Sequence, residues 1–133
     1  MATKYYEYYN ANPKNKNTDD CVIRAISTAL DQPYNMTYKD LFDLSLSTGF
    51  ILNERRNYSK YLESKGWKMQ RQPRKTNNKK YTGREFCKKI SDSERVFAHI
   101  GTGHVVAIVN KKVLDTWDSS NGCIGNYWIK KGA

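Results

Sequence analysis

Residues 17–30 read NTDDCVIRAISTAL, and Cys21 stands where polar residues give way to an apolar stripe. That junction is the expected N-terminus of a helix, where unpaired N–H groups and the macrodipole favour a thiolate. Asp19 and Asp20 push the other way, so the helix alone does not activate the thiol. A neighbouring imidazolium is required. The sequence offers two histidines, His99 and His104. His99 lies inside RVFAHI and reads as a structural, hydrogen-bonded residue. His104 follows the GTG of residues 101–103 and opens HVVAIV, so its ring is expected at the end of a sheet, beside a helix start.

A third group must then fix the tautomer of that imidazole, as in a Cys-His-Asn or Cys-His-Asp arrangement. The expected hairpin GHVVAIVNKKVLDTWDSS supplies it, and turn length decides which residue serves. If the turn takes Asn110 to Lys112, Val109 faces Val113 and counting outward sets Asp118 opposite His104. If the turn is shorter by one residue, Trp117 faces His104 and Asp115 lies two residues away on the same sheet face. Asp118 is the preferred reading and Asp115 the alternative.

The remaining cysteines, Cys87 and Cys123, read as a helix residue and a turn residue without chemistry. Three cysteines, widely spaced and with no CxxC, argue against a disulfide framework and against zinc. No metal and no cofactor is expected. Trp117 and Trp128 read as core or cleft-lining aromatics.

Several elements must position these groups. KYYEYYN suits an edge strand, and NANPKNKN is turn material. Val22, Ile23, Ala25, Ile26, Ala29 and Leu30 recur at helical spacing behind Thr18, Asp19 or Asp20 as the cap. Thr37 and Asp40 resemble a capping box for a second helix that ends at Gly49. NYSKYLESKG is a third, short helix, WKMQRQ a strand, and TGREFCKKI a fourth helix with a Thr82/Glu85 capping box. From residue 95 the apolar period changes to that of strands, RVFAHI, HVVAIV, VLDTWDSS and NYWIK. Helices first and antiparallel strands after predict an α+β domain spanning 1–133, with an N-terminal arm over 1–16 and a basic loop over 68–80.

The chain has 133 residues and a net charge of +10, which favours contact with something acidic. Six Lys or Arg and no acid fall in KMQRQPRKTNNKK. That segment reads either as a solvated, mobile loop or as a grip, through Arg71, Arg74, Lys75, Lys79 and Lys80, on an acidic host protein or on phosphates. Nucleic-acid binding rests on charge alone, without a zinc-finger, RNP or helix-turn-helix signature, and is not favoured. No apolar run approaches the roughly 18 residues that span a bilayer, and MATKYYEYYNANPKNKN lacks the apolar centre of a secretory signal. A cytoplasmic protein without membrane contact is expected.

A Cys opening the first buried helix, a late GH opening a hairpin and an Asp on the return strand resemble the papain-like cysteine peptidase superfamily. The hairpin is similar in layout to those of the josephin deubiquitinases and the bacteriocin-leader peptidases. The whole chain also resembles small bacteriophage proteins carrying DC and a DTWD strand. The resemblance implies helices packed on an antiparallel sheet, with a peptidase or isopeptidase site in the cleft between them. It implies Cys21 as nucleophile, His104 as base and Asp118, or Asp115, as its orienting group, acting on a peptide or protein substrate in the host cytoplasm. The family's oxyanion Gln, about five or six residues before the Cys, is absent; Asn17 or Asn15 stands in that window. Losing such a donor costs about 10²–10³ in rate. A catalytically weak or inactive phage protein that binds and blocks a host factor is therefore the alternative.

Overall fold

The apolar spacing that begins at Val22 becomes helix α1 (Cys21–Leu30), with Val22, Ile23, Ala25, Ile26 and Ala29 buried and Leu30 partly so. In this computed structural model residues 3–131 are described; residues 1–2 of the expected arm and 132–133 of the expected domain lie outside the described residues. The other elements, in chain order, are β1 (Tyr6–Tyr8) ahead of α1, then α2 (Tyr34–Thr48), α3 (Arg55–Ser64), β2 (Trp67–Gln70) and α4 (Gly83–Lys89). They continue with β3 (Arg95–Ile100), β4 (His104–Val109), β5 (Lys112–Asp115) and β6 (Ile124–Lys130). The fold is α+β, with one six-stranded sheet in the order β1-β5-β4-β3-β6-β2.

The sheet is mixed, which corrects the expected antiparallel one. β1 runs parallel to β5, pairing Tyr6 with Val113 and Tyr8 with Asp115, while the other neighbours are antiparallel. The arm is thus part of the domain rather than an appendage, and Tyr6 is buried. Alternation along β4 splits its side chains between two cores, as the period of a strand requires. Val105 and Ala107 pack with α1, with Leu41 of α2 and with Tyr58, Tyr61 and Leu62 of α3. Val106 and Ile108 pack with Phe86 and Cys87 of α4.

Three local readings need revision. α2 starts at Tyr34, directly after Pro33, not at Thr37. Thr37 is buried within the helix, where its hydroxyl accepts from Ser27 and Gln32, and Asp40 accepts from the Tyr61 hydroxyl instead of closing a box. The β4–β5 turn is Asn110-Lys111, because Val109 pairs with Lys112 rather than Val113. Both turn residues have positive φ, 55° and 62°, the combination a primed hairpin turn needs. The Thr82/Glu85 capping box is present in full. α4 opens against the loop after β5: Gly83 and Arg84 N–H donate to the carbonyls of Gly122 and Ser120, and a Cβ at Gly83 would lie 2.8 Å from the Ser120 oxygen.

Lys111 holds a left-handed conformation that costs a non-glycine residue roughly 1–2 kcal/mol. Lys111→Gly is expected to raise stability by about 0.5–1 kcal/mol, the flexibility of glycine in the unfolded chain offsetting part of the relief. A urea midpoint that moves upward at constant slope checks this. A lowered midpoint would mean that the turn is not held in the primed form.

Candidate active site

Cys21 is the first residue of α1, and the N-cap residue Asp20 makes no side-chain cap bond. The opening N–H groups of the helix are therefore not capped by Asp20. Its carboxylate turns elsewhere: Asn12 Nδ2 (3.1 Å), Arg24 Nε (2.7 Å) and the Tyr34 hydroxyl (2.9 Å) all donate to it. The negative charge expected to oppose thiolate formation is thus answered by Arg24. The i,i+4 spacing of Asp20 and Arg24 is the sequence signal that foretells this pair.

Arg24 also reaches the other end of the site, where its Nη1 lies 3.1 Å from Asp115 Oδ1. Asp115, at the end of β5, is 1% exposed and accepts four hydrogen bonds. Oδ1 takes Arg24 and the Thr116 N–H (2.8 Å), while Oδ2 takes His104 Nε2 (2.7 Å) and the Ser119 hydroxyl (2.7 Å). His104 opens β4 opposite Ile100, after a loop in which Gly101 and Gly103 have φ of 60° and 68°. With Nε2 held by Asp115, Nδ1 is the nitrogen left for Cys21, which lines the same cleft. The exposed Trp117 indole lies against the imidazole, with ring centroids 5.1 Å apart.

Asp118 is not the partner of His104, because the Asn110-Lys111 turn shifts the return strand and brings Asp115 to the imidazole. Asp118 caps the Ser120 backbone and hydroxyl and meets Arg84 Nη2 at 3.2 Å. Asn15 and Asn17 are displaced from their expected role as well. Asn12 is buried, ties to Asp20 and accepts the Asn15 N–H, which carries residues 13–19 outward into solvent. The cleft beside Cys21, about 200 Å³, is lined by neither of them. It is lined instead by Asn53 and Arg55, at the start of α3, and by Tyr58 and His99. Nothing in the sequence marks Asn53, whose place follows from the packing of α3. A larger hollow of about 430 Å³, beside Leu30, Lys65 and Lys130, holds neither cysteine nor histidine.

The basic segment is a tied hairpin. Arg74 pairs with Lys80 in an antiparallel bridge, and Arg74 donates to the Asn78 carbonyl and to Gln72. Lys75 is bound to Glu85. Arg71, Lys79 and Lys80 have no carboxylate partner among the described residues.

The two histidines are driven in opposite directions. His99 is pushed down to about 4 by burial and by the nearby Arg55, and shares a 2.8 Å hydrogen bond with the Tyr58 hydroxyl. His104 is raised to about 9 by its hydrogen bond to Asp115, then by that to Cys21, against burial. Burial works against ionising Cys21, but the hydrogen bond and charge of His104, the Val105 N–H and Arg24 together leave its pKa below the ordinary thiol value. Cys87 goes the other way, burial pushing it up to about 12. A lowered thiol pKa beside a raised imidazole pKa favours a Cys21 thiolate paired with a His104 imidazolium. Such a pair is a nucleophile beside a proton donor.

Iodoacetamide is accordingly expected to alkylate Cys21 at pH 6 faster in the native protein than in His104→Ala, since a lowered pKa raises the thiolate fraction. Asp115→Asn shifts the profile in the same direction, and Asp118→Asn does so far less. Peptide mass spectrometry of the alkylated sites reads all three, and equal effects of the two aspartates would overturn the assignment of Asp115. Comparison with protein-family models, with curated proteins and with solved structures gives no match.

Proposed function

We propose that the chain is a cysteine-dependent hydrolase of papain-like arrangement, acting on a peptide or isopeptide bond. The observation that carries this reading is the buried Asp115 carboxylate holding His104 Nε2, with His104 and Cys21 both in the lining of one cleft. The three residues come from a helix start, a strand start and a strand end, so only the folded chain assembles them.

The chemistry follows from the charges. The Cys21 thiolate attacks the substrate carbonyl, forming a C–S bond and a tetrahedral oxyanion. The Cys21 backbone N–H and the carboxamide of Asn53, both residues lining the cleft, stabilise that oxyanion, with Asn53 taking the place of the Asn15 or Asn17 expected from the sequence. His104 delivers its Nδ1 proton to the departing amine as the C–N bond breaks, leaving a thioester. Water then attacks the thioester, giving a proton back to His104, and the carboxylic acid product leaves with Cys21 again a thiolate. Asp115 stays ionised throughout and holds the ring.

Loss of the imidazolium above about pH 9 removes the proton donor, so turnover is expected to fall there, and to fall again as pH drops below the lowered thiol pKa. The test is incubation with a peptide digest of a whole bacterial proteome, reading new termini by mass spectrometry. Native protein is expected to generate them, Cys21→Ser and His104→Ala to generate none above background, and Asn53→Ala about 10²-fold fewer. No Cys21-dependent termini at any pH between 6 and 9 would reject the hydrolase reading.

A further inference from the structure

Arg55 is a cation without a counter-charge. It is the first residue of α3 and lines the cleft beside Cys21. Its guanidinium lies 6.0 Å from the Trp128 ring centroid, and its Nη2 lies 3.8 Å from Met69 Sδ. No carboxylate pairs with it among the described residues. Glu54, its neighbour in sequence, is bound to Arg56 and does not line the cleft. The cleft in fact has no Asp or Glu in its lining. Its charges are the Cys21 thiolate, balanced by His104, and the unbalanced Arg55. The N-termini of α1 and α3 both open on it, adding positive potential from two sides. The net charge of +10 extends the same bias over longer range.

On the hydrolase reading, we propose that the cleft selects substrates carrying a carboxylate next to the reacting carbonyl, with the Arg55 guanidinium as its partner. A guanidinium presents a planar fork that matches a carboxylate. The substrate class is an acidic peptide, or a peptide ending at its free carboxylate within the cleft.

The test compares two reagents on one sulfur, iodoacetate and iodoacetamide. Their rate ratio at Cys21, normalised to N-acetylcysteine, cancels the thiolate fraction and leaves the pull on the reagent's charge. An exposed ion pair supports a ratio about two- to fivefold above that of Arg55→Gln, and Arg55→Glu is expected below both. A ratio that does not respond to either substitution overturns the subsite while leaving the nucleophile intact. Slow alkylation of native Cys21 by iodoacetamide itself would instead fail the hydrolase reading. Protection of Cys21 by peptide amides bearing one Glu assigns a side-chain carboxylate; protection by uncharged peptides with a free C-terminus assigns the chain end. Protection by neither class also counts against the subsite.

Discussion

The structure depends on a single buried carboxylate. Asp115 is 1% exposed, and a charge so placed is destabilising by several kcal/mol unless every lone pair is engaged. Its four donors come from three parts of the chain: Arg24 on α1, His104 on β4, and the Thr116 N–H and Ser119 hydroxyl in the loop after β5. The backbone joins in, since the Asp115 carbonyl accepts the Tyr9 N–H at the end of β1. Satisfying this one group therefore fixes the first helix against the hairpin, and with it the approach of Cys21 to His104.

The site is best seen as a row of alternating charge: Asp20, Arg24, Asp115, His104 and Cys21. Each member is stabilised by its neighbours, and the last is the one that meets solvent in the cleft. Arg24 shares Asp115 with His104, so the carboxylate is not wholly committed to the imidazole. His99 shows what the same side chain does without such a partner: half-buried, beside Arg55 and bound to a neutral Tyr58, it stays uncharged. The two histidines lining one cleft are thus driven in opposite directions by their partners.

Much of this was legible in the residues. The apolar period from Val22 to Ala29, the Thr82/Glu85 box and the strand patterns after residue 95 are local signals, and the chain obeys them. The pairing of Cys21 with His104 followed from a helix start and a strand start meeting. Asp118 was preferred to Asp115 because Asn-Lys lacks the glycine that usually announces a primed turn, yet both residues adopt it and Asp115 meets His104. One residue of turn length decided which aspartate meets His104. The parallel partner of β1 is a long-range choice that three residues of strand do not encode locally. Thr37 looked like a cap, but it lies inside the helix, where its hydroxyl donates to the Pro33 carbonyl and accepts from Ser27 and Gln32. Asn53 and Arg55 were invisible as site residues, since their role comes only from where α3 packs.

His104 is expected to be an imidazolium at neutral pH because Asp115, and then Cys21, stabilise its charge. Nitrogen-15 NMR of the two imidazoles across pH 3–10 tests it directly, with His99 as an internal comparison. The account predicts that His104 keeps both protons until about pH 9, that His99 loses its charge near pH 4, and that Cys21→Ala lowers the His104 value. A His104 ring that titrates at the ordinary imidazole value, unmoved by removing the thiol, would contradict it.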